Sequence, residues 1–92
     1  MTEKPYWVYI LLCGDGTLYT GSTDDVTRRA AAHNAGKGAK YTRGRGPVTV
    51  VYRERCPDKS AALRREAAIK KMSRAEKLAL IERQEGKLPA EG

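Results

Sequence analysis

Tyr6-Trp7-Val8-Tyr9-Ile10-Leu11-Leu12, then Cys13-Gly14-Asp15-Gly16, then Thr17-Leu18-Tyr19-Thr20-Gly21-Ser22 is the stretch that decides how this chain folds. Its first seven residues are aromatic, β-branched or aliphatic, and a run this short that ends at glycine reads as a strand rather than a helix. The next four are turn chemistry, and residues 17–22 form a second strand, so the whole is a β-hairpin. A loop of odd length keeps facing residues on one side of the sheet. With three or five residues around Gly14–Gly16, Tyr9 and Tyr19 are expected directly opposite one another. They are then either an aromatic pair that only stabilises the hairpin or part of a site. Gly21 follows the second tyrosine closely. A glycine there leaves the backbone open to close approach, by a phosphate or by a packed helix.

Downstream, Thr23-Asp24-Asp25 offers capping oxygens to a helix that runs to about Asn34, with Gly36 as its stop. Residues 35–46 are rich in glycine and basic side chains, without apolar periodicity, as in a long functional loop. Pro47 opens a third strand from Val48 to Arg55, ended by Cys56-Pro57-Asp58. A second helix is predicted from Lys59 to about Lys71. Ser73-Arg74-Ala75-Glu76 is a capping box for a third, reaching about Gln84. The order ββαβαα predicts an α+β fold, a small three-stranded antiparallel sheet flanked by three helices.

The 92 residues make one domain, 1–92, with an ordered core of about 5–84 and a frayed tail over 86–92. No apolar run approaches the ~18 residues of a membrane span. The N-terminus does not read as a signal peptide. Cys13 and Cys56, without zinc spacing, are expected to be reduced thiols of a cytoplasmic protein. The net charge is +7, and it is unevenly held. Residues 24–46 carry a net +4, residues 59–74 a net +5, and the remainder −2. Two basic segments are the footprint of a polyanion partner, or else simply well-solvated surfaces.

On the first helix, Val26, Arg29, Ala30 and His33 share a face while Arg28 points away. Arg29 at a core border needs an anion, and phosphate suits its planar fork. His33 lies one turn on, either in reach of the same ligand or simply at the core edge. On the second helix Ala62, Glu66 and Ile69 fall in line, so Glu66 sits beside an apolar stripe. It forms either a salt bridge to Arg65 or Lys70, or a carboxylate ligand for Mg²⁺.

Val8-Tyr9, Tyr19-Thr20-Gly21, Arg29 and Glu66, taken in order, resemble the GIY-YIG nuclease family. The two tyrosines are ten residues apart, and Arg29 falls ten beyond the second. Gly38 to Gly44 and Ala62 to Glu66 are similar to its stand-alone bacterial UPF0213 subgroup. Trp7 replaces the leading glycine of the first half-motif and Thr20 the aliphatic residue of the second. Ser22 stands where the family's repair nucleases carry lysine. The resemblance implies metal-dependent, structure-selective or non-specific endonucleolytic hydrolysis of phosphodiesters, in DNA ahead of RNA, in a setting such as repair or recombination, by a protein expected to be monomeric. A non-catalytic DNA- or RNA-binding module is the competing reading. By the same resemblance Glu66 would hold one Mg²⁺ or Mn²⁺ ion and Arg29 a non-bridging oxygen. Tyr9 or Tyr19 would activate water, with Tyr9 favoured as base once Arg29 and the metal lower its pKa, and His33 would assist. Lys37, Lys40, Arg43, Arg45, Arg64, Arg65, Lys70 and Lys71 would contact backbone phosphates, with Gly21 leaving room for one. Tyr41 would either anchor its loop or stack on an unpaired base, worth roughly 1–3 kcal/mol.

Overall fold

A computed structural model describes residues 5–36 and 47–87. The expected order is present: β1 (Tyr6–Leu12), β2 (Leu18–Thr23), α1 (Val26–Asn34), β3 (Thr49–Cys56), α2 (Lys59–Lys70) and α3 (Arg74–Lys87). The strands form one antiparallel sheet in the order β2-β1-β3. The central position explains the unbroken apolar run of β1, because both its faces are covered. Val8 and Ile10 pack with Tyr52, Ala62, Ile69, Leu80 and Ile81, beneath α2 and α3. Tyr9 and Leu11 pack with Cys13, Val26 and Val48 on the α1 side. The β1–β3 register shifts between Ile10 and Leu11, so that Val51 and Tyr52 both lie against the first cluster. Cys13 and Cys56 are free, buried and in opposite clusters.

The helix caps follow the local chemistry. Asp25 accepts from the Arg28 amide and Asp58 from the Ala61 amide. Ser73 and Glu76 cap one another reciprocally, at 2.8 and 3.1 Å. α3 runs past its expected end at Gln84 through Gly86, since one glycine lowers helix propensity by only ~1 kcal/mol. Two amide side chains tie helices to the backbone of β3 and of the residue just before it. Asn34 exchanges hydrogen bonds with both backbone groups of Val48, and Gln84 does the same at Arg53. The second pair occupies the outward hydrogen-bonding groups of an edge strand.

The hairpin departs from expectation in one respect. Its loop has five residues, Cys13 to Thr17, because Leu12 pairs with Leu18. Asp15 accepts from the Thr17 amide and hydroxyl, and Gly16 turns at φ +88°. The odd length keeps Tyr9 and Tyr19 on one face, but the register sets Tyr9 opposite Gly21 and Leu11 opposite Tyr19. The tyrosines are therefore diagonal neighbours, with ring centroids 6.4 Å apart.

Thr20, opposite Ile10, is 3% exposed, and its hydroxyl has no hydrogen-bond partner among the described residues. A buried unpaired hydroxyl destabilises by about 1–3 kcal/mol. Thr20→Val is expected to raise the free energy of unfolding by about 1 kcal/mol, read from the urea midpoint at unchanged slope.

Candidate active site

Strand alternation aims Tyr9, Tyr19 and Gly21 at the α1 side of the sheet. Gly21 matters for what it lacks. A Cβ there would lie 2.6 Å from Tyr9 Oη, 2.8 Å from Tyr9 Cζ and 3.2 Å from Tyr19 Cε2. Within the chain, the close approach expected at this glycine is made by its own phenols. Tyr9 is buried, and its Oη lies 3.3 Å from His33 Nε2. The His33 ring also stacks at a tilt on Tyr19, 5.3 Å between centroids. α1 presents the face read from its periodicity. Val26 and His33 are buried, Arg29 is half-buried, and Arg28 is exposed and paired with Asp24.

Burial sets the electrostatics here. It raises the Tyr9 pKa above its usual 10.0, and hydrogen bonding by Arg29 offsets this only in part. The expectation of a lowered Tyr9 pKa is therefore corrected for the protein alone: desolvation outweighs the guanidinium. Burial, and then the Arg29 charge, lower the His33 pKa below 6.5, so the imidazole is neutral at pH 7.

Glu66 comes from α2, on the other face, and meets this group at the β2 edge. Its Oε1 accepts from the Ser22 hydroxyl at 2.7 Å, and its Oε2 pairs with Lys70 Nζ at 2.9 Å. The carboxylate side chain is 16% exposed. Its charge is felt at Tyr9, as Tyr19 is felt at Lys70. Ser22, noted in the motif only as a departure from lysine, is a partner of Glu66 that motif reading did not name. The available signal was its place one residue past Gly21, where alternation turns a hydroxyl toward α2. Ser22 and Arg29 both line a cleft of about 380 Å³ with Tyr6, Thr23, Arg28 and Ala32. Among the described residues, no three His, Cys, Asp or Glu side chains cluster to hold a metal. What the site offers a cation is one carboxylate beside one hydroxyl, hard oxygen donors of the kind Mg²⁺ takes singly or in pairs.

The remaining candidates divide. Arg65 turns to β3, where its Nε donates to Glu54 at 3.0 Å beside Tyr52. Burial and Glu54 push the Tyr52 phenol up to about 12. Arg65 is thus engaged away from Glu66, because successive helical residues point about 100° apart. Arg64 and Lys71 are exposed on α2 and at its end. Lys37, Lys40, Tyr41, Arg43 and Arg45 lie outside the described residues.

Comparisons with known proteins follow the same lines. Residues 5–79 match the model of the GIY-YIG catalytic domain. A UPF0213 protein of Halobacterium salinarum is 62% identical over 74 residues, 80% of this chain and 96% of that protein. A UPF0213 protein of Streptococcus sanguinis is 56% identical over 79 residues, 86% of this chain and 91% of that one. The solution NMR structure of a UPF0213 protein from Bacillus halodurans is similar at TM-score 0.58 and 48% identity, covering 90% of this chain and 88% of that one. An E. faecalis protein solved by the same method gives 0.63 at 38% identity, covering 96% and 94%. No helix among the described residues is long and apolar enough to cross a membrane.

Two outcomes are expected from this geometry. Gly21→Ala displaces the Tyr9 phenol from His33 and lowers stability by about 1–3 kcal/mol, as overpacking does, with the His33 ring resonances shifting in NMR. Retention of the wild-type His33 resonances would contradict the contact. Separately, the lowered His33 pKa means that the unfolded chain binds more protons below pH 6.5. Stability is full above that pH and falls as pH drops toward the folded pKa. His33→Gln should flatten the acid side of the stability profile relative to wild type, measured by urea unfolding from pH 7 to 5.

Proposed function

This chain belongs to the GIY-YIG catalytic-domain family, and from that premise we propose that it hydrolyses phosphodiester bonds in nucleic acid, DNA ahead of RNA, with the help of one Mg²⁺ or Mn²⁺ ion. One observation carries the reading. Glu66 comes to the β2 edge from the opposite face of the sheet and accepts there from Ser22, which lines the same cleft as Arg29. Holding a phosphate needs cations alone. A carboxylate among them repels the phosphate unless it serves to hold a positive partner, and in the unliganded protein that partner is Lys70.

In this reading the cleft lined by Arg29 and Ser22 takes the scissile phosphate. Arg29, with its fork of N–H donors, binds a non-bridging oxygen and stabilises charge that develops there. Glu66, with Ser22 beside it, holds the cation, which when bound supplies Lewis-acid stabilisation of the phosphoryl oxygens. Tyr9, kept neutral by burial, serves as base only by relay. As a water proton moves to Tyr9 Oη, the phenol proton moves to neutral His33 Nε2. Tyr19 packs on both rings and holds their orientation. Arg64 and Lys71 contact flanking phosphates and carry no sequence information.

The test uses labelled branched, nicked, duplex and single-stranded DNA, and RNA, with Mg²⁺ or EDTA. Cleavage is expected only with metal. Glu66→Ala and Arg29→Ala should each lower kcat about 100-fold or more. Lys70→Ala should reduce the Mg²⁺ concentration needed for half-maximal cleavage, since it frees Oε2. Because His33 is the final proton acceptor, kcat should be level above pH 6.5 and decline on the acid side. Tight binding of every substrate with no cleavage in Mg²⁺ or Mn²⁺ would replace this reading with that of a binding module.

A further inference from the structure

β2 lies at one edge of the sheet, and three features fall in order along it. At its Thr23 end is the cleft with Arg28 and Arg29. In the middle stand Tyr19 and the Glu66–Lys70 pair. At its Leu18 end is another concavity of about 200 Å³, lined by Thr17, Leu18, Arg74 and Lys77, which the hydrolysis just described does not use. Arg74 and Lys77 are three apart on α3 and so share a face. Among the described residues neither has an ion-pair partner. The acids nearest in sequence are engaged: Glu76 accepts from the Ser73 amide, and Asp15 accepts from Thr17. Two like charges held on one face of a helix disfavour each other, and an anion seated between them relieves this. Arg74 opens α3 just across the turn that follows Lys70, the last residue of α2.

We propose that the concavity of Thr17, Leu18, Arg74 and Lys77 binds a backbone phosphate of the nucleic-acid strand whose phosphodiester lies in the Arg29 cleft. The strand then runs along the β2 edge. Ser22 and Leu18 are four residues apart, ~13 Å of extended chain. That is the axial advance of roughly four nucleotides in one strand of a duplex. This deepens the proposed function and rests on it: the catalytic group marks the phosphodiester, and the concavity sets how much strand is gripped on one side of it.

Binding can be read apart from cleavage, by fluorescence anisotropy of labelled oligonucleotides in EDTA across a salt series. Arg74→Ala/Lys77→Ala is expected to bind a long oligonucleotide about 10-fold more weakly, with the log–log salt slope reduced by roughly 1 to 2. The deficit should vanish on oligonucleotides trimmed to fewer than about four nucleotides on the gripped side. Arg55→Ala/Arg83→Ala removes the same charge elsewhere and should leave the slope unchanged. Arg74→Gln/Lys77→Gln, milder for the first turn of α3, should reproduce the loss, with folding checked by circular dichroism. A wild-type slope in both Arg74/Lys77 variants, or an equal loss in the Arg55/Arg83 pair, overturns the proposal. Wild type that binds without cutting overturns the hydrolase reading alone and still allows the concavity to be judged. Wild type that binds no oligonucleotide overturns both.

Discussion

The site depends on one steric constraint, the space opposite Tyr9 in the hairpin. The register puts Gly21 there, and only a residue without a Cβ lets the phenol cross the edge strand. From that position Tyr9 reaches His33 on α1, Tyr19 packs diagonally beside both rings, and Arg29 bears on the phenol from the same helix face. A slip of one residue in the pairing would send Tyr9 to the other face. The five-residue loop, with its Asp15 turn and Gly16 at positive φ, therefore helps to set the site.

A second constraint is electrostatic. The group on the α1 side is dry enough that burial outweighs its neighbours: it raises Tyr9 and lowers His33, so both rest neutral. Charge enters at the β2 edge, where Arg29 and the Glu66–Lys70 pair stand near water. Neutral groups that can pass a proton lie behind charged groups that can hold an anion or a cation. The edge strand joins them, with Ser22 turned to α2 and its neighbour Gly21 turned to Tyr9. On the opposite edge Gln84 occupies the outward backbone groups of Arg53 in β3.

Much of this was legible from local chemistry. Short apolar runs bounded by glycine marked the strands, and Asp25, Asp58 and the Ser73–Glu76 box marked the helix starts within a residue or two. Helical periodicity placed Arg29 and His33 on the packed face of α1 and Glu66 beside Ala62 and Ile69, and burial follows that pattern. The tyrosine parity was readable because an odd loop preserves the face. The exact pairing was not, since it depends on where the loop is centred: parity survives for any odd loop, and the one centred on Asp15 sets Tyr9 opposite Gly21 instead of Tyr19.

The sequence by itself determined the elements, their order, the faces on which Tyr9, Tyr19, Arg29, His33 and Glu66 lie, and the family to which they point, because periodicity, caps and turn residues act over a few positions. Tertiary structure alone decided which neighbour each of those side chains meets. Gly21 serves Tyr9, Arg65 turns to Glu54 while Glu66 turns to Ser22 and Lys70, and burial overrides Arg29 in setting the Tyr9 proton. Contacts between residues 24 or 44 positions apart, and the water they exclude, depend on how the helices close over the two faces of the sheet, and no local pattern encodes that distance.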